Sequence, residues 1–420
     1  MKVSPDHHSQ MRLAILGFGR EGKSVLKFLR RAPPYRGAKI FILDQKLDKN
    51  YLKDLARFDL IFRSPGVPYH LPALAAARKS GVKFSSATKL FFEQCPAKII
   101  GVTGTKGKST VVTLLDKILR AAGRAPHLVG NIGRPALAVL PKLKKNSLVI
   151  FELSSFQLQD LAVSPPVAVI LDLFPDHQDS HRSLGEYYAA KGNIVRYQKP
   201  ADAVFFFSDS PRARRAARRS RGRKIPVGPK LFKLFSSADL YLPGAHNFRN
   251  AVMAATVAAS CGVSSSVITK VVKRFRGLPH RLQFVRRIGQ TSFYDDSAAT
   301  NPLAAAAALR SFPGQSLVLI AGGRGKGLDY APLTAAIKHS QTKAVLLFGQ
   351  DRRAIARTIG RPGAEIILVE TLEQAVKKLL GLTKFFKPAV VLLSPGAASF
   401  DQFRDYLARG DKFQELVRRL

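Results

Sequence analysis

An α/β fold in three successive segments is predicted from three features of the sequence. Short apolar runs rich in Val, Ile, Leu and Phe recur along the chain, and stretches of helical spacing separate them. Two glycine-rich turns, at 17–22 and 104–110, stand where a strand-type run gives way to such a stretch. Acidic residues close later runs, as they do at the carboxyl edge of an open parallel sheet. No repeat period or low-complexity stretch appears.

The first segment, residues 1–95, opens with a strand over 12–16, the turn Gly17-Phe-Gly-Arg-Glu-Gly22 and a helix to Arg30. A second strand over 39–43 ends at Asp44. This G-x-G-x-x-G layout is Rossmann-like, with the acid placed to hold a ribose or another polar group. Taken alone it would suggest NAD or FAD. Further strands over 59–62 and 82–85 lead into Ser64-Pro-Gly66 and into a helix over 87–94, and residues 95–97 read as a hinge.

The central segment, residues 96–277, carries the stronger motif. Residues 98–102 form an apolar β-type run that breaks into Thr103-Gly-Thr-Lys-Gly-Lys-Ser-Thr110 and then a helix over 109–122. Glycines there let backbone N–H groups crowd around anionic oxygens at a helix amino end. Lys108 is placed for the outer phosphates of a nucleotide triphosphate and the Ser109 hydroxyl for Mg²⁺. The strict P-loop pattern would need glycine at Val102. A strand over 148–151 delivers Glu152, and one over 167–171 delivers Asp172 and, beyond it, Asp176-His177. These acids therefore converge on the edge that holds the phosphate loop, where a carboxylate can bind Mg²⁺. The third segment, residues 278–420, repeats the alternation with strands at 317–321, 344–348, 366–369 and 390–393 and is again Rossmann-like.

Composition narrows the classes. At 420 residues with 46% hydrophobic content, the chain has ample core and is not disordered. Cys95 and Cys261 have no paired spacing, which points to a reducing compartment without a disulfide or zinc framework. Residues 1–10 are polar and no apolar stretch approaches a membrane span, so a cytoplasmic protein without membrane contact is expected. Lys and Arg number 68 against 28 Asp and Glu, a formal charge of +40. The cations are spread along the chain apart from a run at 212–224, which reads as one face of a short exposed helix. Lacking interleaved aromatics, that run is read as a solvated face, and no nucleic-acid partner is expected.

The motifs together resemble one family, the Mur ligases. They are Gly104-Thr-Lys-Gly-Lys-Ser-Thr110, Gly130-Asn-Ile-Gly133, Phe151-Glu-Leu-Ser-Ser-Phe-Gln157, Asp176-His177, Tyr188-Ala-Ala-Lys191, His246-Asn-Phe-Arg-Asn250, Gly277-Leu-Pro-His-Arg281, Asp296-Ser-Ala-Ala-Thr-Asn301 and Leu393-Ser-Pro-Gly-Ala-Ala-Ser399. Within the family the Glu-Leu-Ser-Ser-Phe-Gln and Leu-Ser-Pro runs are similar to the branch that adds D-glutamate to UDP-N-acetylmuramoyl-L-alanine. The resemblance implies an ATP-dependent ligase of cytoplasmic peptidoglycan synthesis, working through an acyl phosphate with two Mg²⁺ ions. It is consistent with a monomer, and with closure of the third domain about hinges near 95–97 and 277–279.

The resemblance also assigns sites. Gly104, Thr105, Lys106, Gly107, Lys108, Ser109 and Thr110 would cradle ATP, with Asn247, Asn250, His280, Arg281 and Asp296 around its base and ribose. Ser109, Glu152, His177 and Lys191 would serve the metals, Lys191 matching a lysine that is carbamylated in the family. Lys108, Glu152, His177 and Lys191 form the catalytic set. Gly17, Arg20, Glu21, Asp44, Ser64, Gly66, Thr88, Asn131 and His177 would meet the UDP substrate, and Thr300, Lys326, Ser394 and the backbone near Phe400 the glutamate. Plainer roles stand beside these: Glu152 or Ser394 as helix caps, His177 as a loop histidine, Lys191 as an exposed lysine, Asn131, Asn247 and His280 as turn formers. Another amino acid such as L-glutamate, or a non-catalytic basic nucleotide-binding or nucleic-acid-binding role, are the alternatives.

Three positions depart from the family pattern: Ala298 replaces a lysine, Arg324 stands where an acidic or neutral residue is usual, and Lys106 replaces an asparagine. If Lys106 and Arg324 supply the missing charge, Ala298→Lys raises steady-state turnover only slightly. A gain of about tenfold, roughly 1.4 kcal/mol of barrier, would show that nothing compensates.

Overall fold

The computed structural model describes residues 11–175, 181–228, 230, 232–325, 327–360 and 363–420. It forms two compact units, Met1–Phe232 with Val252–Ile268, and Lys233–Ala251 with Thr269–Leu420. The first unit contains two sheets. Strands β1 (Arg12–Leu16), β2 (Lys39–Leu43), β3 (Leu60–Arg63) and β4 (Lys83–Ser85) form a parallel sheet in the order β2-β1-β3-β4. Strands β5 (Lys98–Thr103), β6 (His127–Gly130), β7 (Leu148–Glu152), β8 (Val167–Ile170), β9 (Ala203–Phe207) and β10 (Arg223–Val227) form a second, also parallel, in the order β10-β9-β8-β5-β7-β6.

These two sheets share one core. Leu13, Ile15, Val25, Leu29 and Phe62 from the first lie in the same buried cluster as Ile99, Val149, Phe151, Ile170 and Val204 from the second. Phe91 meets Phe151 edge-on with centroids 5.4 Å apart, so packing continues across residues 95–97. Ala14, Leu16, Leu43, Phe58 and Ile61 turn to the other face of the first sheet and form a separate cluster.

The second unit holds β11 (Gln283–Ile288), β12 (Thr291–Asp295), β13 (Ser316–Gly322), β14 (Gln341–Phe348), β15 (Glu365–Leu368) and β16 (Val390–Leu393) in the order β11-β12-β16-β13-β14-β15. All pairs are parallel except β11 with β12. Alternate residues serve opposite faces: Leu317, Leu319, Val345, Leu347, Val390 and Leu392 pack on one side, and Val318, Ile320, Leu346, Val391 and Leu393 on the other. Burial on both faces explains why these strands read as unbroken apolar runs. The antiparallel pair was not expected from sequence, since β11 is polar and only partly buried.

The basic run at 212–224 differs from its expected form. The helix is Pro211–Ala217, held down by Ala213, Ala216 and Ala217, and the chain then turns and enters edge strand β10 at Arg223. The helix stops at Ala217 with Arg218 as its C-cap, and Gly222 lies tight against the Asp202 carbonyl where the chain turns into β10. No described helix is long and apolar enough to cross a membrane.

The first turn depends on a close approach. A Cβ built on Gly22 would stand 2.2 Å from the Gly17 carbonyl oxygen, whereas one on Gly19 meets nothing within 4 Å. Gly22→Ala is expected to lower unfolding stability by about 1–3 kcal/mol, and Gly19→Ala by less than about 0.5 kcal/mol, read from urea midpoints.

Candidate functional site

Parallel pairing places the central site. Val102 pairs with Glu152 and Gly130 with Glu152, so the turns after β5, β6 and β7 emerge on one edge. Gly107 adopts φ 83° and starts the helix Lys108–Ala121, which carries Lys108, Ser109 and Thr110 in its first turn. Gly104 has no room for a side chain, because a Cβ would lie 2.6 Å from Leu171 Cβ. Thr105 is tied down: its N–H donates to the Asp172 carbonyl (2.9 Å), while its hydroxyl accepts from Phe174 N–H (2.9 Å) and lies 2.9 Å from the Tyr187 hydroxyl. Lys106 is exposed.

Two ammonium groups meet at this loop. Lys108 Nζ donates to the carbonyls of Gly104 (2.9 Å) and Thr105 (3.1 Å). Lys191, from the helix Leu184–Arg196, also donates to Gly104 O at 2.9 Å, and its Nζ lies 4.9 Å from the Tyr187 ring centroid. It is 2% exposed, which rules out an ordinary surface lysine. Opposite stands Glu152, 1% exposed. One of its oxygens accepts from Asn131 Nδ2 (3.1 Å), and Oε2 is buried without a hydrogen-bond partner. A buried carboxylate oxygen left open is costly unless a cation completes it. That property, with the Ser109 hydroxyl on the same edge, suits a hard divalent ion such as Mg²⁺. Glu152 is no helix cap; Ser154 caps the following turn. Among the described residues, no three His, Cys, Asp or Glu side chains form a metal cluster. His177 lies outside the described residues.

The first sheet contributes a second set in the same unit. Gly17 has φ 86°, and its N–H donates to Leu43 O (2.8 Å). Both Asp44 oxygens are engaged, accepting from Phe18 N–H (2.6 Å) and Lys46 N–H (2.9 Å), and these bonds hold its carboxyl below the usual range. Ser64 Oγ donates to Gly17 O at 2.6 Å. Gly66 is exposed in the turn after β3, while Thr88 is buried in the helix Ala87–Gln94. Arg20 donates to the Gly133 carbonyl, and Glu21 accepts from Gln157 Nε2 (2.8 Å), so the Gly17–Gly22 turn abuts the Asn131 turn. Burial raises the Glu21 pKa although Gln157, Arg63 and Arg20 oppose it. Arg63, buried, donates to Val67 O and Phe156 O and pairs with Asp160 at 3.7 Å. Gln157 lies in the Phe151–Gln157 motif, but its contact with Glu21, like those of Arg63 with Phe156 and Asp160, joins residues far apart in the chain.

In the second unit, Asp296 sits after β12 and is pinned by Ser394 Oγ (2.7 Å) and Leu282 N–H (3.1 Å). Burial pushes its pKa up to about 7. Ser394 therefore binds a carboxyl rather than capping a helix. His280, at φ 58°, places Nδ1 2.7 Å from Asp295 Oδ2. Burial alone would lower its pKa, but the Asp295 bond and charge, aided by Asp411, hold it above the ordinary value. Asp295 also accepts from Gln414 Nε2 (2.8 Å) and Ser297 N–H (2.9 Å). Arg409 is fully buried on Ser297 and Ala397, and burial pushes its pKa down to about 10. Sequence reasoning missed Asp295, Gln414 and Arg409, since only folding brings the last helix, Tyr406–Arg419, to them. Asn247 and Asn250 are buried in the helix Ala245–Ser260, Asn247 donating to Pro243 O (2.8 Å), and Arg281 is exposed. Thr300 is half-buried, Phe400 is 65% exposed, and Lys326 lies outside the described residues.

The fold and the loop define a nucleotide-dependent α/β enzyme class, and comparison with known proteins makes it specific. The Mur ligase middle domain matches residues 102–233, and the Mur ligase glutamate ligase domain matches 280–396. The chain belongs to the Mur ligase family. It is 33% identical over 455 residues to the UDP-N-acetylmuramoylalanine--D-glutamate ligase of Acetivibrio thermocellus, covering 97% of this chain and 96% of that one. The proteins of the same name from Geobacillus kaustophilus (33% identical, 98% of each chain) and Bacillus cereus (36%, 86% and 83%) are similar. In fold, the UDP-N-acetylmuramate-alanine ligase of Thermotoga maritima matches with TM-score 0.57 at 18% identity, covering 98% of this chain and all of that one. A MurF ligase from the same organism in complex with ADP matches at 0.56 and 16%, covering 99% and 97%.

Asp296 sets a pH dependence. The folded carboxyl keeps its proton to about pH 7, whereas the unfolded one loses it near its ordinary 3.8. The native state thus holds the extra proton between those values, and this contribution makes stability fall as pH rises through them and level off above about 7. Asp296→Asn removes that fall, which urea midpoints at pH values across the window will show as a flatter profile than that of the parent protein.

Proposed function

We propose that this chain is the ligase that joins D-glutamate to UDP-N-acetylmuramoyl-L-alanine, with ATP consumed through an acyl phosphate. The supporting observation is near-full-length similarity to D-glutamate ligases in a chain whose Lys108, Lys191 and unsatisfied Glu152 oxygen meet on one sheet edge. A reaction that uses ATP and a UDP-linked precursor belongs in the cytoplasm. Residues 1–95 hold the UDP end on the Gly17–Gly22 turn, residues 96–277 hold ATP, and residues 278–420 hold glutamate.

Each step asks something definite of the residues. A substrate carboxylate must approach a triphosphate, and two anions repel. Lys108 and the backbone N–H groups of the Gly104–Thr110 turn offset that repulsion and stabilise charge on the transferring group. Glu152 and Ser109 would hold Mg²⁺, which when bound supplies Lewis-acid neutralisation of phosphate oxygens. Asn131 orients the Glu152 carboxylate through the oxygen it occupies, leaving Oε2 for the ion. Lys191 has two states to offer: its ammonium bonds Gly104 O, and carbamylation would convert the same side chain into an anionic metal ligand. Asp296 and His280 would meet the nucleotide's sugar and base end, and Thr300, Ser394, Lys326 and Phe400 the glutamate.

The test is phosphate release from ATP with Mg²⁺ and UDP-N-acetylmuramoyl-L-alanine, with D-glutamate, L-glutamate or no amino acid, and product masses measured. Release and a new amide only with D-glutamate are expected; turnover with L-glutamate alone, or none with either, overturns the reading. In the same assay Glu152→Gln keeps an acceptor for Asn131 but loses the charge. It is expected to lower kcat by about 10²–10³-fold and to raise the Mg²⁺ concentration needed for half-maximal rate.

A further inference from the structure

The amino edge of the central sheet, opposite the phosphate loop, carries basic side chains at both of its ends. Because all six strands run parallel, every connection entering a strand lies on that edge. At one end, Lys98, Arg124, His127 and Lys145 line a groove of about 620 Å³ whose remaining walls, including Asn146 and Ser147, carry no carboxylate. At the other end stand Arg218, Arg219, Arg221 and Arg223, all exposed and, among the described residues, none paired with a carboxylate. Lys199 lies between them in the connection to β9.

The stretches that lead into these strands hold only two acids, Asp160 and Asp202. Asp160 pairs with Arg63, and Asp202 accepts from Lys199 N–H at 2.6 Å. Solvent-facing cations therefore stand towards both ends of an edge five inter-strand gaps wide, roughly 24 Å at ~4.8 Å each. Tyr197, 42% exposed with Arg196 5.7 Å from its ring centroid, is the one large hydrophobic side chain exposed in these connections among the described residues.

We propose that this edge binds the phosphodiester backbone of nucleic acid. Arginine forks suit phosphate oxygens, a polyanion several nucleotides long is needed to span the edge, and Tyr197 offers a face on which a base can stack. A lipid surface fits less well: the edge is grooved, and it lacks a cluster of apolar side chains to insert. Contacts to phosphate alone make the binding independent of sequence and steeply dependent on salt. This departs from the expectation drawn from the run at 212–224 alone, because folding adds the groove and Tyr197 to it. This edge lies away from the phosphate loop, so nucleic acid bound there is independent of the ligase activity.

Fluorescence anisotropy with labelled RNA and duplex DNA probes of roughly 20 units, from about 50 to 200 mM salt, tests it. The full chain should bind at low salt, and the triple variant Arg218→Glu, Arg221→Glu, Arg223→Glu should bind at least about tenfold more weakly, with the log–log salt slope shallower by about three. A milder pair at the groove, Lys98→Gln with Lys145→Gln, should weaken binding in the same sense, and thermal midpoints identify any variant that has simply unfolded. The control Lys377→Glu, Lys378→Glu, Lys384→Glu makes the same charge change on the exposed side of the helix Leu372–Phe386 and should leave affinity within about twofold. Equal losses in control and edge variants would assign binding to the overall +40 charge and overturn the proposal. So would no binding at low salt, or binding to anionic phospholipid vesicles but to neither nucleic acid.

Discussion

The register that pairs Val102 with Glu152 is the constraint on which the central site rests. Two residues further on, past the end of β5 at Thr103, the chain enters the glycine turn, and at the end of β7 the carboxylate stands at the same edge. A slip of one residue would turn Glu152 to the opposite face of the sheet. The turn is held by Thr105, whose contacts reach Asp172, Phe174 and Tyr187, so it is braced from β8 and from the helix carrying Lys191. Cationic and anionic side chains thus arrive on separate elements and are aligned by backbone pairing.

The first sheet is joined to this arrangement by polar contacts laid over a shared apolar core. Arg20 to Gly133, Gln157 to Glu21, and Arg63 to Phe156 and Asp160 cross from one sheet to the other. Burial raises the cost of a mismatched partner for Arg63 and Glu21, because a buried donor or acceptor without its bond forfeits its hydration. The same contacts bring the turn proposed for the UDP end beside Asn131, which in turn orients Glu152.

The second unit uses burial differently. Asp295 is fully buried and accepts from Gln414 and Ser297 while bonding His280, so its oxygens are satisfied by several partners. Its neighbour Asp296 accepts from Ser394 and Leu282, and burial pushes its pKa up to about 7. At Asp296 the hydration lost on burial thus outweighs the two bonds gained.

The sequence by itself determined the α/β class, the phosphate turn and the alternation of strand and helix, because glycine conformation and apolar periodicity are local properties. It also carried the family, through motifs spread over nearly the whole chain. Tertiary structure alone decided which side chains are satisfied: that Asp44 spends both oxygens on backbone, that Lys191 is buried on Gly104, and that Glu152 keeps one oxygen open. It also decided that β11 runs antiparallel, that the run at 212–224 divides between helix and strand, and that Arg409 and Gln414 reach the end of β12. Those outcomes depend on desolvation and on contacts between residues often a hundred or more positions apart, and neither has a local signature in the chain.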